Sequence, residues 1–190
     1  RSALLAALLV LILVGLALAP FLFPGTRALD TAARICIFIV LVASYDLLIG
    51  YTGIVSFAHT MFFGIGAYGA ALALKHMGPS FAAIAVGSAL GVLTAALLAL
   101  AIGLFSLRVR AIFFAMVTLA VASAFEVLIS QLSHLTGGED GLSPKLPGVF
   151  AAGASGPFGL SGRLVTYYTV LAACVGCFLM MRRFVHSPLG

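Results

Sequence analysis

The sequence predicts an all-α fold: a polytopic bundle of about six transmembrane helices, with a broken or short helix near residues 50–53. Three observations carry that prediction. Of 190 residues, 63% are apolar and only 8% charged, against roughly 45–50% and 25% in soluble domains, and the mean hydropathy is +1.25. Ten basic and five acidic residues cannot clothe a water-soluble surface. Apolar runs near the ~20 residues needed to cross a bilayer core recur along the chain, and lipid forces each to satisfy its own backbone hydrogen bonds as a helix.

The first segment, 2–23, follows Arg1 and contains Ala17-Leu18-Ala19, which resembles a signal-peptide cleavage site. Its uncharged run extends to Phe23, beyond an ordinary signal-peptide core, so it reads as a first span. Pro24-Gly25 punctuates it. The second segment, 33–50, is short, with Arg34 near its start. Gly50-Tyr51-Thr52-Gly53 then breaks the run before the third, 54–74. Gly78-Pro79 separates that from the fourth, 80–105, in which Ala83, Gly87, Gly91, Ala95, Ala99 and Gly103 recur every fourth residue. Such a row is a shallow groove that admits another helix at close range; Gly64, Gly66 and Gly69 give the third segment a smooth surface for close packing. The fifth segment, 111–132, follows Arg108 and Arg110. A connection over 133–162, crowded with glycine and proline, leads to the sixth, 163–181.

The net charge of +5 comes from single residues and the pairs Arg108/Arg110 and Arg182/Arg183, so it points to topology and not to nucleic acid. Both pairs lie on one side, expected to be cytoplasmic, which places the 133–162 connection outside. Arg27, Arg34, Lys75, Lys145 and Arg163 then balance Arg1 and the two pairs. Cys36, Cys174 and Cys177 sit inside apolar runs and are expected to be small buried side chains. No G-x-x-x-x-G-K-[ST], H-E-x-x-H or G-x-S-x-G occurs in these residues, so the chain carries no P-loop, zinc-protease helix or hydrolase elbow of those kinds. It is expected to bind no cofactor or metal itself.

Polar groups inside the spans are the candidate functional residues, because an ionisable group at depth is unfavourable by about 2.5–3.5 kcal/mol and faces a cavity or a partner. At roughly 100° per residue, Thr118, Ser123, Glu126, Ser130, Ser133 and His134 fall in one arc of the fifth segment. That arc is either a water-lined route or a network that binds helices together. Asp46 lies near an interface, where a structural role suffices. Ser56 and His59 share a face beside the 50–53 break, the kind of interruption at which transporters aim helix ends at a substrate. Substrate-pathway candidates are therefore Ser56, His59, Thr118 and Glu126. Candidates for the helix break and for packing are Gly50, Gly53, Gly64, Gly66, Gly87 and Gly91.

Three stretches carry a family resemblance. GYTGIVSFAHTMFFGIGAY (50–68) is similar to GYxGxxSFGHAxFFGIGAY of the permease subunits of branched-chain amino acid ABC importers. LRVRAIFFAMVTLA (107–120) is similar to that family's LRLRGxYFAMxTLA, and TGGEDGL (136–142) to its TGGxxGL. Ala58 and Ala111 stand where the family has glycine. The resemblance implies that residues 1–190 are the N-terminal part of one permease domain, running on from Ser187-Pro188-Leu189-Gly190 into a coupling segment. It implies a second permease subunit, two ATPase subunits that use ATP, and an external substrate-binding protein, in a bacterial-type inner membrane. The substrate would be a branched-chain or related small amino acid, although relatives handle urea, amides or small organic acids. The chain itself would be a transport subunit and not an enzyme. Two rivals remain at this stage: an ion-coupled transporter or channel with Glu126 and His59 as relays, and a metalloenzyme using His59, His76 and Glu126.

Overall fold

The computed structural model describes residues 2–22, 25–106, 111–150, 161–185 and 187. Its long helices are α1 (Ser2–Leu22), α2 (Thr26–Thr52), α3 (His59–Met77), α4 (Phe81–Ser106), α5 (Ala111–Gln131) and α7 (Gly162–Val185), with the single-turn α6 (Ser133–Thr136) after α5. The all-α, polytopic expectation holds. Arg27–Thr52, Phe81–Phe105, Ile112–Gln131 and Gly162–Val185 are long and apolar enough to cross a membrane, and Leu9–Leu22 is a shorter apolar helix. The 19 residues of α3 reach about 29 Å at 1.5 Å per residue, close to a bilayer core. Their hydropathy is diluted by glycines, Lys75 and His76. Side chains such as Phe21, Phe105 and Ile112 are more than three-quarters exposed. Helices apolar all round and bare of cover are built for lipid contact.

Three segment boundaries move. The second helix is not short: it begins at Thr26, because Arg27, Asp30 and Arg34 are exposed residues of the same helix. Hydropathy marks where the uncharged run starts, whereas backbone hydrogen bonding begins well before it, with the Ala28 N–H donating to the Gly25 carbonyl at 3.1 Å. Residues 54–58 do not begin the third helix, which starts at His59. The 133–162 connection opens with helical α6 and a 3-10 turn at Gly138–Asp140. Its residues 151–160 lie outside the described residues, as do Arg108, Arg110 and Pro188–Gly190. Arg182 and Arg183 occupy the last turn of α7, where positive charge complements the helix dipole.

The chain divides into two compact units, residues 1–46 with 149–190, and 47–148. In the first, Pro20 lies inside α1 and has no N–H, so the Leu16 carbonyl loses its intrahelical donor. The Tyr167 hydroxyl of α7 donates to that carbonyl at 2.5 Å, and the Tyr168 hydroxyl donates to the Ala17 carbonyl at 3.3 Å. Tyr167 is 2% exposed, and Cys36 of α2 is buried in the same unit, whereas Cys174 is half-buried and Cys177 exposed on α7, so the expected burial of the cysteines holds for Cys36 alone. A polar contact thus replaces the bond that proline removes. Tyr167→Phe is expected to lower stability by about 1 kcal/mol. In a Pro20→Ala background, where residue 20 regains its amide, the same change should have little effect. Thermal unfolding in detergent reads the cycle, and an equal loss in both backgrounds would refute the pairing.

The second unit is built on an antiparallel α3–α4 hairpin. A Cβ placed at Gly87 would stand 2.6 Å from the Ala73 Cβ and 2.6 Å from the Gly69 carbonyl oxygen, and one at Gly91 would stand 3.0 Å from the Gly66 Cα. Backbone therefore lies on backbone, as the small-residue row anticipates. Ala83, Gly87 and Gly91 are buried and Ala95 half-buried. The row disengages beyond that: Ala99 is exposed, and a Cβ at Gly103 would meet nothing within 4 Å. Toward the start of α3, Ala58, Met61 and Ile65 form a core covered by Phe62, Ala95, Ile102, Val121 and Phe125. Both α4 and α5 thereby clasp α3, with Phe125 Cε1 3.7 Å from where a Gly64 Cβ would stand.

Candidate functional site

The interruption between α2 and α3 is a built junction. Gly53 takes φ +65, the left-handed conformation that ends helices at low steric cost for glycine, and its N–H donates to the Ile49 carbonyl at 2.9 Å. Thr52 Oγ1 donates to the Leu48 carbonyl at 2.6 Å and accepts from the Ile54 N–H at 3.3 Å. Gly50 remains within α2, so the turn belongs to Gly53 alone. Residues 53–58 are non-helical. Ala58 then precedes α3 without a side-chain cap.

A nonhelical segment must find partners for its backbone groups. The Phe57 N–H donates to Thr118 Oγ1 of α5 at 3.2 Å, and that hydroxyl donates in turn to the Ala115 carbonyl at 2.9 Å. Thr118 is 0% exposed and Ser56 6% exposed. The structure thus brings Ser56, Thr118 and the half-buried His59 to one place. Ser56 and His59 flank the amide that Thr118 holds.

Glu126 is not part of that cluster. It lies two turns further along α5, about 12 Å by helix rise, and it is exposed together with Ser123 and Ser130. Thr118 instead belongs to the inward stripe with Val121, Phe125 and Ile129. The polar arc also ends sooner than expected. The helix α5 stops at Gln131, and Ser133 and His134 belong to α6, so they do not continue the α5 face. Asp46 is exposed on α2. His76 is exposed in the last turn of α3. Among the described residues no group of three His, Cys, Asp or Glu is placed to hold a metal.

The end of α5 is closed by a residue that sequence reasoning read only as part of a motif. Thr136 Oγ1 donates to the carbonyls of Ile129 at 2.6 Å and Leu132 at 2.9 Å, and accepts from the Gly138 N–H at 3.2 Å. The first of these bonds serves a carbonyl in the last turn of α5, where a helix terminus leaves carbonyls without intrahelical donors, while the Leu132 carbonyl also accepts the Leu135 and Thr136 N–H groups. Gly137, Gly138 and Gly141 all have positive φ, and a Cβ at Gly137 would collide with the Gly141 carbonyl. The T-G-G-x-x-G spacing is therefore a helix cap folded back on itself. Lys75 Nζ donates to the His134 carbonyl at 3.3 Å and ties this cap to the end of α3.

Two of the three matched stretches thus build the interruption and the cap. Residues 27–190 match the family described as the branched-chain amino acid transport system permease component. The chain belongs to that family. The permease matches none of the curated proteins or solved structures with which it was compared. It is a multi-pass membrane protein and a permease component, and the 50–68 and 136–142 motifs have the physical roles given above.

Proposed function

We propose that this permease is the membrane-spanning subunit of an ATP-driven importer for branched-chain or related small amino acids. It would act in a bacterial-type inner membrane with a second permease subunit, two ATPase subunits and an external binding protein. ATP turnover on the partners drives its helices between outward and inward openings. The observation that carries this reading is the interruption at 53–58, held against α5 through Phe57 and Thr118. It supports a substrate contact there, because the start of α3 carries partial positive charge suited to an amino-acid carboxylate and His59 stands at that end. Ser56 and His59 are the pathway residues of this junction, Thr118 positions it, and Glu126 lines a polar stretch on the exposed face of α5.

Uptake by the permease reconstituted with its partners is expected to require a hydrolysis-competent ATPase. Transport that survives a dead ATPase and collapses with the proton gradient would favour an ion-coupled carrier with Glu126 and His59 as relays. Because Glu126 is exposed on α5, Glu126→Gln removes charge without opening a core. It should lower uptake on the order of tenfold, equivalent to ~1.4 kcal/mol of barrier, with complex assembly unchanged. Loss of assembly with no separable transport defect would make Glu126 a structural residue.

A further inference from the structure

At the end of the α3–α4 hairpin lies a cavity of about 360 Å³, lined by Leu74, Lys75, Gly78, Pro79, Ser143 and Lys145 among others. That volume falls in the lower part of the ~300–1,000 Å³ range of small-molecule sites. Its chemistry is one-sided, with two ammonium groups and a hydroxyl on its wall and no carboxylate among its lining residues. Pro79 leads directly into α4, where Ser80 Oγ accepts from the Ala83 N–H at 3.1 Å, so the positive end of a 26-residue helix stands beside it. Lys75 has a second occupation, since it bonds the His134 carbonyl and offsets the dipole at the end of α3. Lys145 has no such bond among the described residues: it lies on the connection after α6, flanked by Pro144 and Leu146, and is exposed.

The position of the cavity selects the kind of anion. It borders the first turn of α4, a helix of membrane-crossing length, whose ends such a length would bring near the headgroups. Met77 and Phe81, on either side of the Gly78-Pro79-Ser80 turn, are more than half exposed and offer apolar surface to acyl chains. Lysines at the end of a membrane-crossing helix extend their ammonium groups toward headgroup phosphates.

We propose that this cavity binds the phosphate of an anionic phospholipid, with Lys75 and Lys145 as its paired cations. The ligand bridges the α3–α4 turn and the segment after the Thr136 cap.

The test uses the full permease in non-ionic detergent, with phosphatidylglycerol as the probe and native mass spectrometry and melting temperature as readouts. Phosphatidylcholine and inorganic phosphate serve as comparisons. The native protein should retain phosphatidylglycerol and melt at a higher temperature with it. Lys75→Gln with Lys145→Gln should lower retention about tenfold, and the corresponding arginine pair should keep it. Lys145→Gln alone leaves the Lys75–His134 bond in place and should still weaken retention, which separates lipid binding from folding. Equal retention by the native protein and the glutamine variants, or equal retention of phosphatidylcholine, overturns the proposal. An identical melting shift with inorganic phosphate assigns the site to a free anion and overturns the lipid. A photo-crosslinker at position 145 that captures a protein subunit regardless of phosphatidylglycerol assigns the lysines to an acidic protein surface and overturns it likewise.

Discussion

Gly87→Leu is expected to abolish recovery of folded permease, and even Gly87→Ala should lower its melting temperature. The added Cβ would lie 2.6 Å from the Gly69 carbonyl oxygen and 2.8 Å from the Ala70 Cα. Both are backbone atoms of α3, so relief requires the helices to part and not merely a rotamer to change. Overpacking of this kind destabilises by about 1–3 kcal/mol, and parting the hairpin also forfeits its dispersion contacts. Gly91→Ala, with its closest atom at 3.0 Å, should be milder. Gly103→Ala has free space and should be neutral or gain up to ~1 kcal/mol of helix propensity. Monodisperse yield and thermal unfolding across these four variants give the ranking. An unchanged melting temperature for Gly87→Ala would contradict the close approach.

Thr118→Val should have the second-largest effect, because valine keeps the shape and removes the oxygen. The Phe57 N–H would then be left without the acceptor it has at 3.2 Å, at a cost of about 1 kcal/mol for a part-buried donor, the low end of the range for lost partners. Thr118→Ser keeps that oxygen and should retain most function. Hydrogen exchange should rise selectively over residues 53–58 in the valine variant, and uptake should fall with it. If uptake falls while exchange at Phe57 is unchanged, Thr118 contacts the solute directly and does not act by holding the junction.

Much of this was legible in the sequence because the signals are local. Composition alone sets the solvent, and the four-residue spacing of Ala83, Gly87 and Gly91 is a property of one helix. The spacing expresses a capacity, however. Whether Ala99 and Gly103 use it depends on how far α3 extends alongside, which α4 does not encode. Thr118 illustrates the same limit at the site. Its 100° arithmetic places it near Glu126, but its partner lies 61 residues away, so an apparent member of a polar face is a buried anchor. The arc itself failed beyond Gln131 because the chain turns at Leu132 and restarts in α6. Pro20 carried a readable sign, a carbonyl certain to lose its donor, although nothing nearby in the chain pointed to Tyr167, 151 residues beyond the Leu16 carbonyl it meets.

The glycine seam has a mechanical corollary. Two rods touching along their main chains have no side-chain slack through which to creep, so a push on one is delivered to the other almost undiminished. Whatever flexing the second unit undergoes must be absorbed outside the seam, and Gly53, poised in a backbone conformation open to few other residues, is the obvious elbow. Alanine at Gly53, strained at that positive φ, would leave the lever intact and disturb its pivot.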